Sequence, residues 1–201
     1  YPGSGRSVTV HAIAVDQDDP SRVFAAASAA DSPVPGSPAS PTLLLGSTDG
    51  GRSWSRVAAL GSERVFALRA DGGGTQPRVR ALAESGVYDG SGPSLQHVPA
   101  PGGARFTSGS FGRDPRSGVV FAYATLPLGT GPGGIAGGVQ VSEDGGRTWR
   151  TANGSLLEAV REVGAGDEWG PAKGSRPSLG PIASSARFPL VAYVGLRGIL
   201  L

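Results

Sequence analysis

Short apolar runs recur along the whole chain, each closed by a cluster of Gly, Pro, Asp or Ser. Val8-Thr9-Val10-His11-Ala12-Ile13-Ala14-Val15 alternates in the manner of a half-buried strand. A turn at Asp16-Gln17-Asp18-Asp19-Pro20 leads it into a second strand predicted over Arg22–Ala27. Further strands are predicted at Thr42–Gly46 and Ser53–Val57, then at Arg64–Arg69, Arg78–Ala83, Gly86–Tyr88 and Ser94–Val98. A third set covers Phe106–Phe111, Val119–Tyr123, Gly138–Val141 and Thr148–Ala152, and a last pair covers Leu179–Ala183 and Pro189–Gly195. Turn clusters separate the successive runs, which predicts many short strands joined by tight turns. Helical spacing appears at Leu156, Leu157, Val160 and Val163, where a short helix is expected.

Two turns carry one motif. Ser47-Thr48-Asp49-Gly50-Gly51-Arg52-Ser53-Trp54 and Ser142-Glu143-Asp144-Gly145-Gly146-Arg147-Thr148-Trp149 both read S-x-D-G-G-R-[ST]-W, and each follows an apolar run. Asp-Gly-Gly between strands predicts a tight hairpin, because glycine accepts positive φ and the Asp carboxylate accepts backbone N–H groups across the turn. Trp adds a large apolar anchor with one polar handle. A degraded copy, Gly86-Val87-Tyr88-Asp89-Gly90-Ser91-Gly92-Pro93-Ser94-Leu95, sits one repeat length after the first, with its Asp slipped to Asp89 and Leu95 in place of the Trp. Its hairpin is expected to be held less firmly. The Asp18-Asp19-Pro20 and Asp114-Pro115 tracts also lead into matching Val-Phe-Ala strands.

This pattern resembles the Asp-box, or BNR repeat, of β-propellers such as sialidases, xyloglucanase-type glycosidases, sortilin-type receptors and photosystem II assembly factors. The resemblance implies an all-β propeller of four-stranded antiparallel blades, about three and a half of them, as one partial domain over residues 1–201. The blades would run roughly over 6–60, 61–100, 101–154 and 155–201, the last incomplete. In those families the box is a folding element between the third and fourth strands. Ser47, Asp49, Gly50, Gly51 and Trp54, with Ser142, Asp144, Gly145, Gly146 and Trp149, are therefore read as structural. A secreted, extracellular or periplasmic protein is expected, and the use of Arg over Lys with abundant Ala and Gly points to a GC-rich bacterial genome.

Composition narrows the rest. Gly (34) and Pro (17) are abundant enough to raise disorder, but the periodic runs favour many short strands and turns. All basic residues but Lys173 are Arg, and the net charge of +2 predicts no polybasic surface for nucleic acid. No apolar run approaches the ~20 residues of a membrane-spanning helix. Cys is absent, which excludes disulfides and thiolate metal sites, and two His make a zinc site improbable. Neither a cofactor nor a metal is expected. The chain lacks Met and a signal segment and breaks off at Leu201 where earlier copies run on, so it is expected to be a piece of a longer protein.

Three long connections, at Ala29–Pro41, Thr125–Gly137 and Asn153–Ser178, are expected on one rim, the usual binding face of a repeat fold. Tolerated insertion explains them equally well, because loop length costs little. Arg6, Arg64, Arg105 and Arg176 each precede an innermost strand on that rim. Together they could hold an anionic ligand, as planar guanidinium groups do. Asp167-Glu168-Trp169 pairs carboxylates with an aromatic, so Trp169 is a candidate sugar contact. Asp167 and Glu168, with Glu63, are the candidate catalytic carboxylates, since glycoside hydrolysis needs two flanking the scissile bond. His11 reads as a core histidine, and Asp16, Asp18 and Asp19 as turn formers.

The glycosidase resemblance has gaps. Sialidases carry an R-I-P tract and a Tyr-Glu pair that are missing here. The xyloglucanase-type first blade continues Y-A-R-T-D with a catalytic Asp, whereas Phe24-Ala25-Ala26-Ala27-Ser28 puts Ser28 at that position. The reading is a non-catalytic binding or scaffold propeller that takes a protein or carbohydrate partner. The alternative is a sialidase-like or xyloglucanase-like hydrolase completed by blades outside this sequence. An incomplete ring would also be open to self-association through sheet edges.

Overall fold

The computed structural model describes residues 7–29, 40–72, 77–131, 134–156, 158, 178–185 and 191–197. The chain forms two compact units, Tyr1–Val98 and Pro99–Leu201. The first holds two four-stranded antiparallel sheets. One runs β1 (Val8–Val15), β2 (Val23–Ala29), β3 (Leu43–Ser47) and β4 (Ser55–Ala59); the other runs β5 (Val65–Asp71), β6 (Arg78–Ala83), β7 (Gly86–Ser91) and β8 (Ser94–Pro99). Every strand pairs with its neighbour in sequence, so both sheets are simple meanders.

Periodicity decides which face is buried. Past a bulge between Val65 and Ala67, β5 and β6 place Val65, Leu68, Ala70, Val79, Ala81 and Ala83 on one side. This side packs on Ala12, Ala14, Phe24, Ala26 and Leu44 of the first sheet. The many Ala side chains let the sheets approach closely, and Leu44 and Leu60, each 0% exposed, fill the space between them. Each fully buried Leu contributes roughly 1.5–3 kcal/mol.

The second unit repeats the plan with β9 (Ser108–Arg113), β10 (Val120–Gly131), β11 (Gly134–Ser142) and β12 (Arg150–Thr151) in one sheet, and β13 (Ser178–Ser184) paired with β14 (Ala192–Arg197). Phe121, Tyr123, Val139 and Val141 of the larger sheet pack on Leu179, Ile182, Ala192 and Val194. Leu156 joins this core, but Leu157, Val160 and Val163 of the expected helix lie outside the described residues.

Two expectations are corrected. The insertion Thr125–Gly137 is not an irregular loop. After a bulge between Leu126 and Gly129, β10 and β11 keep pairing through Gly129↔Ala136, Thr130↔Ile135 and Gly131↔Gly134, so the insertion lengthens a hairpin. Asp89 is not a turn residue. It sits inside β7, opposite Arg80, and β7 joins β8 through Gly92-Pro93 alone, a turn too short to hold the longer motif.

Candidate functional site

The two long turns are built alike. In the first, Ser47 Oγ donates to Asp49 Oδ1 at 2.7 Å and accepts the Gly51 N–H at 2.8 Å. Asp49 in turn accepts the Ser53 amide at 2.9 Å and the Ser53 hydroxyl at 2.6 Å. Gly50 and Gly51 take φ of 73° and 88°, the left-handed region that glycine enters without steric cost. In the second, Ser142, Asp144, Gly146 and Thr148 repeat the network with distances of 2.6–2.9 Å. Trp54 Nε1 donates to Gly51 O, and Trp149 Nε1 to Gly146 O, both at 2.9 Å.

These bonds set the electrostatics of both carboxyls. Hydrogen bonds from the Ser53 hydroxyl and amide, then from Ser47, hold Asp49 down to about 2. At Asp144 burial pushes upward, but the Thr148 hydroxyl and amide and the Ser142 hydroxyl together outweigh it, again giving about 2. Each carboxylate thus accepts three hydrogen bonds from its own turn. Among the described residues no three His, Asp or Glu side chains come together in a set that could hold a metal ion.

The indoles differ in surroundings. Trp149 is half-buried, its ring centroid 4.8 Å from that of Phe106. Trp54 is 41% exposed and walls a cleft of about 230 Å³ with Arg22, Phe24, Val57 and Pro77, while Ser53 and Ser55 add hydroxyls. Arg22 is positioned by the preceding turn, where its Nε lies 3.0 Å from Asp19 Oδ2. Gly50 N–H bonds Ser21 O at 2.8 Å, tying that turn to the motif. The cleft offers an aromatic face beside a planar cation, a combination that can stack a sugar ring or a flat apolar group and orient an acceptor.

At the opposite end of these sheets, the Glu63 carboxylate accepts the Ser85 hydroxyl at 2.6 and 2.7 Å and the Ser85 amide at 3.1 Å. Tyr88 OH lies 3.5 Å from the same carboxylate and donates to Leu60 O at 3.1 Å. Burial, and then the Glu63 charge, push the Tyr88 phenol upward. His97 Nε2 is 2.8 Å from Ser85 Oγ. Histidine and carboxylate therefore meet the serine from two sides. A nucleophilic triad instead needs the acid behind the histidine, so this cluster fastens the β6–β7 turn to the link before β5.

Ser85 gives no signal in the sequence, and His97 reads there only as a residue beside an outer strand. Their link depends on β7–β8 pairing, and only Glu63 near a strand start gave a signal. Also unanticipated is a ladder on β5–β7. Arg78 meets Asp89 in two parallel bonds of 2.7 and 2.5 Å, Asp71 bridges Arg69 and Arg80, and Arg80 Nε lies 3.5 Å from Asp89 Oδ1. Burial pulls the Arg80 guanidinium downward, against the pull of Asp71 and Asp89. The two-residue spacing of Arg69 and Asp71, and of Arg78 and Arg80, already put each pair on one face; the pairing register was the missing information.

Of the other expected residues, His11 Nε2 bonds Ser28 Oγ at 2.9 Å. Asp16 accepts the Asp18 amide at 3.0 Å, and Asp19 accepts the Ser21 amide and hydroxyl, all within the turn. Arg64 places its guanidinium 5.6 Å from the centroid of the Phe66 ring. Arg105 is exposed in the segment before β9. Arg6, Arg176, Asp167, Glu168 and Trp169 lie outside the described residues.

No protein-family model matches the chain, and no curated protein matches it. Among solved structures it is similar to an ancestral GH74 enzyme, with 21% identity over 74% of this chain and 20% of that one, at a TM-score of 0.51. It is also similar to YCF48 bound to D1 peptide, with 15% identity over 89% of this chain and 43% of that one, at a TM-score of 0.48. The chain thus spans less than half the length of either. The fold is a partial β-propeller, with three four-stranded antiparallel sheets and two strands of a fourth among the described residues.

Proposed function

We propose that the chain is a non-catalytic binding module of the Asp-box propeller type, from an extracellular or periplasmic protein, and that it takes a protein or glycan partner. The observation that carries this reading is the Ser28–His11 pair. Where the resembling glycosidases place a catalytic Asp, this chain has Ser28, whose hydroxyl is bonded at 2.9 Å to the His11 imidazole, and among the described residues no carboxylate is bonded to either. Glu63, the one candidate acid among the described residues, spends its oxygens on Ser85 and Tyr88. Meanwhile Trp54 and Arg22 line a cleft whose walls include no Asp or Glu, and Arg22 is held from behind by Asp19.

Incubation with aryl xyloglucan oligosaccharides and fluorogenic sialosides tests the reading. The expected result is no turnover above background at high protein concentration. Turnover lost on Glu63→Gln or Glu168→Gln would replace it with the hydrolase reading.

A further inference from the structure

The strands that enter three of the sheets share a pattern set by a bulge. In β5, Val65, Leu68 and Ala70 face one way, paired with Ala83, Ala81 and Val79. In β13 the same spacing gives Leu179, Ile182 and Ser184, opposite Leu196, Val194 and Ala192. In β1 it gives Val10, Ile13 and Val15, opposite Ala27, Ala25 and Val23, with Val8 on the same side. The first two sets are packed away: Val65, Leu68 and Ala70 are 1%, 9% and 2% exposed, and Leu179 and Ile182 are 6% and 5%. Each lies on the reverse face of the sheet before it, β5 on Ala12, Ala14 and Phe24, and β13 on Phe121 and Tyr123.

The β1 set occupies the same register and is bare. Val8, Val10, Ile13 and Val15 are 63%, 53%, 60% and 50% exposed. Four large aliphatics in a row on one strand face form the kind of patch that marks an interaction surface. The repeat also shows what covers such a face, namely the reverse face of another sheet of this kind. One reverse face is bare as well. On β13–β14, Tyr193 and Val191 are 64% and 40% exposed, and Pro181 and Ala183 are exposed beside them.

We propose that the β1 face is the docking surface for a second copy of this chain, whose β13–β14 hairpin lays its Val191–Tyr193 face on Val10, Ile13 and Val15. The contact continues between molecules the face-on-reverse packing already made twice within the chain. It is heterologous, since each copy gives one face and receives on another. A formal charge of only +2 puts little repulsion in its way. The inference is independent of what ligand the module takes.

Sedimentation velocity over a concentration series is the test, on the wild-type chain and on Ile13→Lys and Tyr193→Lys. Wild type should gain mass with concentration, and each variant alone should lose that association. An equal mixture of the two variants should form a one-to-one dimer that grows no further, because one intact face of each kind remains. Should the lysine at position 13 perturb folding by circular dichroism, Ile13→Thr replaces it and should weaken association in the same direction. A wild type that stays monomeric throughout, its β1 face left to some other sheet, overturns the proposal. So does association abolished by the Ile13 change alone with no rescue in the mixture, the behaviour of a symmetric β1-to-β1 contact.

Discussion

Thr148 Oγ1 donates to Asp144 Oδ2 at 2.6 Å, and the other oxygen of the same carboxylate accepts the Thr148 amide at 2.9 Å. The carboxylate thereby spans the turn and fixes where the chain re-enters the sheet. Ser142, 1% exposed, completes the loop by accepting the buried Gly146 N–H at 2.8 Å while donating to Asp144. Ser142→Ala leaves that N–H without its acceptor, so it should cost about 1–3 kcal/mol. Urea denaturation of the chain followed by circular dichroism reads the loss.

The two hydrogen-bonded carboxyls make stability depend on acid. Both are held to about 2 in the folded chain, below the ordinary 3.8, so the unfolded chain binds protons more readily. Their contribution is complete above about pH 5 and is lost progressively as pH falls through 3.8 and then about 2. Asp19 and Asp114, lowered chiefly by the hydroxyls of Ser21 and Ser117, act in the same direction. Denaturation midpoints should therefore be flat above this window and fall within it. The double variant Asp49→Asn, Asp144→Asn should start lower and fall less steeply.

Gly50 has open space where a Cβ would stand, and its φ is 73°. Substitution there pays only for the left-handed backbone, about 1–2 kcal/mol for most residues and less for Asn. Gly50→Ala should lower the denaturation midpoint, and Gly50→Asn should recover part of the loss.

The two motif tryptophans should behave differently. Trp149 packs on Phe106, itself 2% exposed, whereas Trp54 stands in an open cleft. Trp149→Ala should cost a few kcal/mol at most, less than about 3–5 kcal/mol for a fully buried aromatic because Trp149 is only half-buried, and Trp54→Ala clearly less. Iodide should quench the fluorescence lost in Trp54→Phe more strongly than that lost in Trp149→Phe.

Local chemistry was the part of this fold most readable in the sequence. Asp-Gly-Gly flanked by hydroxyl residues announced both long turns because all their bonds lie within a few residues. Asp19 and Asp114 marked the shorter turns for the same reason. Strand alternation located the sheets, yet it could not give their pairing. Asp89 looked like a slipped turn residue, and only the β6–β7 register, which sets Arg78 and Arg80 beside it, explains why it is buried. Likewise Thr125–Gly137 read as an insertion because Gly and Pro hide the strand signal, whereas cross-strand bonds continue through it. At the candidate site, Glu63 is visible as an acid, but its partners Ser85 and Tyr88, and His97 behind Ser85, come from three other elements. The Trp54–Arg22 cleft needed two turns to be docked together, which no single stretch of sequence states.

We propose that the recurring carboxylates of this chain, Asp49 and Asp144, serve to hold their turns, their oxygens engaged by Ser47 and Ser53 and by Ser142 and Thr148. A carboxyl-carbon NMR titration of the folded chain, with and without calcium, tests it most directly. Both groups should titrate near 2, and calcium should leave their shifts unchanged. Titration near the ordinary 3.8, or calcium-dependent shifts at either residue, would contradict it.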